Sequence, residues 1–471
     1  MNSHIDIKLH FIIIFINIYF MLVVTGISQL CVFCRMFVRS GSLLRLFSRS
    51  AVQSCHQCVQ RASVIASEKI PIGTSLKNFK HQSIFPVHEA ILTQMRCDVL
   101  LKDAYRGRVV RKIRAGEKLS KGKWDIPDLR AASAKQQLET LSQQELVDFM
   151  EKLASATLSK KRPDIDLNSL QILEDEFCSR ATSLDGASLL LAADAFFVMH
   201  HHCSPFFSAM FREFEHRWSS LVIRKHDVVQ LAMCIIISRK FPLLLVANIE
   251  KFLNSNMDKF SAGELSVICL AFFITNTSIE NVDVMEKLAS AILADLPNST
   301  LKPYQLSNVL KALRHAHFSK PSFYDSLGNL LSQSSALQHE STLTDFSNIA
   351  FTYASLRISC PTLFAGISSN AARLIQNRTP MRLKDVGRLV WSFALLQEPL
   401  AEAVRKQLVF MLRRDAQLME QFSEAFTEAL LGLAMNEIYL VDLLKQLLST
   451  KFLKQKHGVV NYALMQYFAT C

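Results

Sequence analysis

Glycine and proline are scarce in this chain, at 13 and 12 of 471 residues, and charged residues make up only 20% of it. A composition this poor in all three excludes collagen-like, low-complexity and intrinsically disordered proteins. Hydrophobic residues make up 50% of the chain instead, so most of it is expected to pack into a folded core. At this length the sequence can form two or three domains or one extended array.

The motifs of common enzyme classes are missing as well. The sequence has no G-x-G-x-x-G loop, no H-R-D catalytic loop and no D-F-G metal ligand, so nothing in it could cradle nucleotide phosphates or hold magnesium as a kinase does. It also lacks the P-loop, G-x-S-x-G and H-E-x-x-H patterns of other nucleotide-binding proteins and hydrolases. We therefore expect no enzymatic activity and no cofactor.

Eleven cysteines are scattered along the chain, mostly in apolar helical stretches, and they form no disulfide framework. This usage favours a reducing compartment. Two pairs, Cys31 with Cys34 and Cys55 with Cys58, have a spacing that a four-thiolate zinc site could use. The loop between the pairs is cationic and lacks the turn residues of a zinc ribbon, so we expect no metal site.

Two incompatible targeting signals follow each other at the N-terminus. Residues 11–33 are apolar and long enough to span a bilayer. From Met36 to Ser67 there is no Asp or Glu, and arginines alternate with leucine, phenylalanine and serine, which is typical of a mitochondrial presequence. Because presequences begin at the start codon, we expect translation from Met36 and interpret residues 1–35 as a gene-model extension. The alternative is a membrane anchor, if residues 11–33 are translated and retained.

Lysine and arginine exceed aspartate and glutamate by 53 to 41, a formal net charge of +12 that favours polyanionic partners. Residues 68–139 are predicted to form a basic, largely irregular linker. Its stretch 96–130, which we call the basic arm, is a candidate for contacting RNA phosphates, and a solvated linker is the alternative. The residues proposed to do so are Arg106, Arg108, Arg111 and Lys112.

A helical pattern recurs from about residue 140 to 455. Each unit has a first apolar anchor and further anchors three and seven residues later, all on one helix face. The first anchors lie about 40 residues apart, which leaves room for a second helix and two turns: Leu146, Leu189, Val228, Leu265, Leu306, Phe346, Val386 and Phe426. This pattern predicts an all-α fold, an α-solenoid of roughly eight two-helix repeats.

The position six residues after each first anchor is small in seven of eight repeats, which predicts close approach of neighbouring helices. The eight residues are Lys152, Ala195, Cys234, Ala271, Ala312, Thr352, Ser392 and Gly432.

The position two residues after each first anchor is predicted to line a continuous surface that could follow an extended polymer. From Gln230 onward most residues there could hydrogen-bond a base edge, although plain solvated positions are the alternative. We expect the candidate RNA-binding side chains of the repeats to be Asn308, Lys311, Arg314, Asn348, Arg357 and Arg388.

Several segments resemble the FAST kinase domain-containing family of mitochondrial RNA proteins. They are GELSVICLAFFITNTSI at 263–279, QLSNVLKALRHAHF at 305–318, LKDVGRLVWSFALL at 383–396 and EALLGLAMNEIYLVDLL at 428–444. The resemblance extends over roughly residues 140–450. It implies residence in the mitochondrial matrix, association with RNA granule proteins, and a role in maturing or stabilising mitochondrial transcripts.

Members of that family end in a RAP domain, a strand-rich α/β module similar to restriction-type nucleases. Residues 456–471 show neither alternating strands nor paired carboxylates, so we expect this tail to be atypical and the RAP domain to be absent. The leading hypothesis is a non-catalytic protein that binds mitochondrial RNA. The alternatives are a scaffold that holds a partner's helix or peptide in its groove and a membrane-anchored helical protein.

Overall fold

Helices make up all the regular structure that can be described. The structure is a computed structural model, and it describes residues 134–158, 167–199, 205–221, 223–298, 301–334, 339–379 and 381–447. Across these ranges there is no strand, which confirms the all-α fold class. The apolar run, the presequence, both cysteine pairs, the basic arm and the tail 456–471 lie outside the described residues.

The described helices form eight pairs. The first helices are α2 (Gln143–Leu158), α4 (Gly186–Val198), α6 (Lys225–Ser238), α8 (Ala262–Ile274), α10 (Pro303–His315), α12 (Leu343–Leu356), α14 (Leu383–Leu396) and α16 (Ser423–Ala434). The second helices are α3 (Leu167–Arg180), α5 (Pro205–Arg217), α7 (Leu243–Asn256), α9 (Val282–Asp295), α11 (Pro321–Gln333), α13 (Pro361–Gln376), α15 (Glu402–Arg414) and α17 (Val441–Leu447). One more helix, α1 (Ala134–Thr140), precedes them, within the stretch predicted to be irregular linker.

The pairs stack in two layers. Each first helix packs against the first helix of the next pair, from α2 through to α16, and the second helices from α3 to α15 do the same. Helix α1 extends the second layer by packing against α3. All of them belong to one compact unit, Ala90–Leu448. Contacts restricted to neighbouring repeats are the arrangement of an α-solenoid, and this prediction is confirmed.

The apolar anchors form the core between the layers. All three anchors of every repeat are buried, and none is more than 7% exposed. Each large aliphatic or aromatic anchor contributes roughly 1.5–3 kcal/mol by leaving water. The sequence pattern therefore identified the core face of every first helix correctly.

Capping side chains mark where first helices begin. At α8 the Ser261 N–H donates to Glu264 Oε2 at 2.8 Å, and the Glu264 N–H donates to Ser261 Oγ at 3.3 Å. Thr342 and Asp345 make the same reciprocal pair at α12. Such capping boxes satisfy N–H groups that the helix itself leaves unpaired. In both repeats the capping hydroxyl lies four residues before the first anchor and the capping acid one residue before it.

The turn that follows each first helix is also repeated. In the last six repeats the residue eleven after the first anchor has a left-handed backbone, with φ between 54° and 61°. These residues are Arg239, Asn276, His317, Arg357, Gln397 and Glu437. None is glycine, although glycine alone adopts this conformation without strain. Proline then occupies the first position of α11 and α13, where its missing N–H is harmless.

Glycine permits α14 and α16 to approach closely in the first layer. A Cβ atom on Gly432 would lie 2.9 Å from the backbone nitrogen of Trp391. A Cβ on Gly387 would lie 2.9 Å from the Cβ of Ala429. Gly432 lies six residues after its first anchor, where a small residue was predicted, and it allows the close helix approach that was expected. None of the helices in the described ranges is long and apolar enough to cross a bilayer.

A candidate nucleic-acid interface on the first helices

Cationic and aromatic side chains from four successive first helices meet on one side of the first layer. Phe273 comes from the end of α8, Lys311 and Arg314 from α10, Phe351 from α12 and Arg388 from α14. We call these five residues the cation–aromatic cluster. They occupy positions two, five or eight residues after the first anchors, so they share one face of their helices.

The cations of the cluster lie over the aromatic rings. The Arg314 guanidinium carbon is 4.5 Å from the centre of the Phe351 ring, and that of Arg388 is 4.8 Å from it. Lys311 Nζ and the Arg314 guanidinium carbon each lie 5.8 Å from the centre of the Phe273 ring. Each such contact contributes about 0.5–1 kcal/mol, and more where water is excluded. The rings therefore hold the long cationic side chains in place.

Acidic partners are unevenly distributed around the cluster. Arg388 forms an ion pair with Glu428 on α16 at 3.2 Å. Within the described ranges, neither Lys311 nor Arg314 forms an ion pair with an acidic side chain. The positive charge that is left unneutralised is thus concentrated on two residues one helical turn apart.

The pKa values of these two groups reflect that situation. Burial lowers the pKa of the Lys311 ammonium to about 8; Asp345 partly opposes the shift, while Arg314, Arg382 and Arg388 add to it. Burial and the proximity of Arg388 lower the pKa of Arg314 to about 10, and Glu428 partly opposes the shift. Both groups carry charge in a place that disfavours it, so a nearby anion would stabilise them.

Two buried donors beside these charges have unmet hydrogen-bonding capacity. Asn308, one turn before Lys311 on α10, is only 4% exposed, and its amide Nδ2 has no hydrogen-bond partner among the described residues. The same holds for Nη1 of Arg314. A buried donor without a partner costs roughly 1–3 kcal/mol, so a water, ion or ligand that accepts from it would stabilise the protein.

The structure brings some of the predicted RNA-binding residues together and leaves others apart. Lys311, Arg314 and Arg388 come together, with Asn308 next to them. Arg357 is exposed at the end of α12, where it forms the left-handed cap, and it does not join the cluster. The predicted residues of the basic arm, Arg106, Arg108, Arg111 and Lys112, lie outside the described residues.

The position two residues after each first anchor was predicted to face RNA, but it is buried in several repeats. Asn348 is 6% exposed, and its Nδ2 donates to the backbone oxygen of Thr344 at 2.8 Å, one turn earlier in the same helix. Gln230, Val267 and Asn308 are buried as well. Because neighbouring first helices pack so closely, this position faces the adjacent helix instead of open solvent. In these repeats the side chain at this position therefore has no exposed surface with which it could contact a base edge.

Sequence reasoning missed the aromatic members of the interface. Phe273, Phe351 and the buried Trp391, whose ring centre is 5.3 Å from that of Phe351, resemble ordinary core residues in the sequence. Phe351 and Trp391 occupy the same repeat position as Lys311, five residues after the anchor. Aligning the repeats at that position would have revealed aromatic and cationic residues at equivalent places. Within the described ranges no group of three metal-ligating side chains comes together.

Comparison with known proteins indicates a family but not a function. No protein-family model matches the chain. It is 26% identical over 293 residues to the mitochondrial FAST kinase domain-containing protein 5 of Mus musculus, an alignment that covers 61% of this chain and 37% of the mouse protein. The proteins of that name in Pongo abelii and Homo sapiens are 26% and 25% identical over 307 residues, covering 64% of this chain and 38% of theirs.

These matches confirm the resemblance to the FAST kinase domain-containing family. The chain spans less than two fifths of the length of the curated relatives it matches. The relatives are all named as mitochondrial proteins, which supports the mitochondrial localisation that the presequence predicts.

Proposed function

We propose that this protein binds mitochondrial RNA through its first helices and supports the processing or stability of mitochondrial transcripts without catalysing a reaction. One observation carries the proposal: Lys311 and Arg314 are held by aromatic rings and form no ion pair with an acidic side chain among the described residues. Cations positioned to follow the phosphate backbone are a common feature of proteins that bind single-stranded nucleic acid.

The charge of the whole chain supports the same partner. A net charge of +12 raises the local concentration of a polyanion, and phosphate contacts release condensed counterions. The repeats supply a continuous row of first helices along which an extended strand could lie. Residence in the mitochondrial matrix and association with other RNA granule proteins complete the proposal, on the strength of the presequence and the family resemblance.

A second candidate function is a protein-interaction scaffold. It is favoured by large apolar side chains exposed at the starts of two successive second helices: Leu243 at 84% and Leu244 at 65% on α7, and Val282 at 59% on α9. Exposed apolar clusters of this kind often mark contacts between proteins. Crosslinking in organelles followed by nuclease digestion separates the two functions, because RNA-linked adducts favour the first and protein-only adducts the second.

Binding of a labelled mitochondrial transcript fragment to the full chain tests the proposal directly. The double variant Lys311→Gln/Arg314→Gln should weaken binding at least about tenfold and lower the salt slope by about one per lost phosphate contact. The control Lys406→Gln/Arg413→Gln removes the same charge from exposed positions on α15 in the second layer and should change affinity less than about twofold. Equal losses in the two variants would contradict a specific interface.

A further inference from the structure

The donors of α10 are arranged along a single face. Asn308, Lys311 and Arg314 follow one another at intervals of three residues, so each lies one turn beyond the last. The amide Nδ2, the ammonium group and Nη1 of the guanidinium are all hydrogen-bond donors. Two of these groups are buried without a hydrogen-bond partner among the described residues, and the third belongs to a cation without an ion-pair partner there. A ligand that satisfies the ammonium and guanidinium groups is an acceptor with negative charge.

The neighbouring cations outside α10 are already paired with acidic side chains. Glu428 neutralises Arg388, and Asp385 binds Arg382 through two hydrogen bonds of 2.8 and 2.9 Å. Asp345, the acid that acts on Lys311, already accepts hydrogen bonds from Thr342. Asp345 and Glu428 act on Lys311 and Arg314 without forming an ion pair with either, so both cations can still bind an external anion.

The aromatic rings of the cluster are poorly placed to receive a base. Around Phe351 lie the guanidinium groups of Arg314 and Arg388 and the indole of Trp391, all within 5.3 Å of its centre. Phe273 is contacted by Lys311, Arg314 and, edge to face, by His315 at 6.5 Å. The rings support cations, and the cations are what the cluster presents to a ligand.

We propose that Lys311 and Arg314 together hold a backbone phosphate of single-stranded RNA, so that this contact is independent of base identity. The inference rests on the proposed RNA-binding function and specifies its chemistry. A phosphodiester supplies one negative charge and two acceptor oxygens, which suits a guanidinium and an ammonium group one helical turn apart.

Lys311 provides a signature of phosphate contact that a purely structural role would lack. The groups that face it are Arg314 on its own helix, Asp345 on α12, Arg382 just before α14, Arg388 on α14, and the Phe273 ring on α8. Near pH 8 the ammonium group is partly deprotonated, because its pKa is about 8. An anion bound beside it would raise that pKa, so binding at this pH takes up protons.

The first experiment measures affinity for labelled oligonucleotides of about 12 residues, a length suited to single-strand sites. The probes are oligouridylate, oligoadenylate and an oligouridylate whose central linkages are uncharged methylphosphonates. We expect the first two to bind the full chain within about threefold of each other and the third at least about tenfold more weakly. Arg314→Gln should weaken both charged probes by the same factor, whereas the control Lys406→Gln leaves them unchanged.

The second experiment measures proton uptake by calorimetry at pH 8 in two buffers of different ionisation enthalpy. Wild-type protein should take up about half a proton per oligouridylate bound. Lys311→Arg keeps the positive charge but cannot titrate, so it should retain binding and lose the uptake. Circular dichroism melting of each variant checks that it is folded.

The results separate this inference from the proposed function. Absence of RNA binding by wild-type protein overturns both. Binding that survives Arg314→Gln, that ignores the methylphosphonate linkages, or that differs strongly between the two bases overturns the phosphate site and leaves the RNA-binding function standing. Proton uptake that persists in Lys311→Arg assigns the titrating group elsewhere and also overturns the site.

Discussion

The Arg388 guanidinium and the Glu428 carboxylate form an ion pair of 3.2 Å between two adjacent first helices, α14 and α16. The two residues lie at the same repeat position, two after their first anchors, exactly one repeat length apart in the sequence. Each side chain is about one fifth exposed. The pair therefore closes one end of the cation–aromatic cluster and reduces the charge that Arg388 can offer to RNA.

Replacing Glu428 by Gln should strengthen RNA binding. The substitution keeps the shape of the side chain, removes the negative charge and leaves Arg388 free to contact phosphate. We expect affinity to rise about two- to fivefold and the salt slope to steepen by about one. Fluorescence anisotropy at several salt concentrations measures both quantities. The control Glu402→Gln breaks the exposed pair with Lys406 on α15, and a gain of the same size there would show that only overall charge matters.

Replacing Lys311 by Met should stabilise the fold at neutral pH. The pKa of Lys311 is about 8 in the folded chain, below its ordinary value near 10.5, so the unfolded chain binds more protons between these pH values. Its burial is thus most unfavourable below pH 8, and this disadvantage disappears as pH rises toward about 10.5. We expect Lys311→Met to raise the free energy of unfolding at pH 7 by at most about 3 kcal/mol.

Urea unfolding of wild type and Lys311→Met at pH 7 and at about pH 10 measures this effect, and the difference between the two proteins cancels other titrating groups. The advantage of the variant should shrink at the higher pH. Lys406→Met, at an exposed site on α15, should show no such dependence. A constant advantage at both pH values would rule out a depressed pKa as its origin.

Substituting Ala for Gly432 should destabilise the protein although alanine is the better helix former. Its Cβ would lie 2.9 Å from the Trp391 backbone nitrogen, and a backbone cannot move aside as a flexible side chain can. Overpacking costs about 1–3 kcal/mol and should outweigh the gain of about 1 kcal/mol in helix propensity.

Gly366 on α13 is the matched control, because nothing lies within 4 Å of a Cβ placed there. Gly366→Ala should therefore raise the melting temperature while Gly432→Ala lowers it. Differential scanning calorimetry of both variants checks the signs. Shifts in the same direction would mean that α14 and α16 do not approach as closely as described.

Substituting Gly for Gln397 should stabilise the turn after α14. Gln397 is exposed and has φ 57°, a left-handed conformation that costs a side-chain-bearing residue about 1 kcal/mol. Glycine adopts it without strain but loses more backbone entropy on folding, so we expect a net gain of about 0.5 kcal/mol. The same change at Gln407, inside α15, should lower stability by about 1 kcal/mol. Chemical denaturation distinguishes the two, and a loss at both sites would refute the strained turn.

Much of the fold could be predicted because it depends on local patterns. Anchors such as Leu306, Val309 and Leu313 lie on one face of a helix whatever surrounds it, and an apolar face must be buried. The capping box of Ser261 and Glu264 also follows a sequence pattern, but it was recognised only in the structure. The cationic members of the candidate site were already named from the sequence, because basic residues stand out in largely apolar helices.

Other features of the site depended on contacts between helices. In the sequence Asn348 and Arg388 are equivalent, both two residues after an anchor. In the structure Asn348 is buried and bonded to its own helix, whereas Arg388 reaches Phe351 and Glu428. A repeat position has no fixed environment, because the length of each side chain and the size of its neighbours decide how far it extends.

The sequence by itself determined the period of the repeat, the core face of each first helix and the surplus of positive charge, since these follow from residue type and spacing along one chain. Only the tertiary structure decided that Arg314 meets Phe351, that Glu428 neutralises Arg388 and that Lys311 keeps its charge without an acidic partner in the described ranges. The physical reason is that these side chains come from different helices. Their distances depend on how closely the helices pack, and residues as small as Gly387 and Gly432 set that spacing.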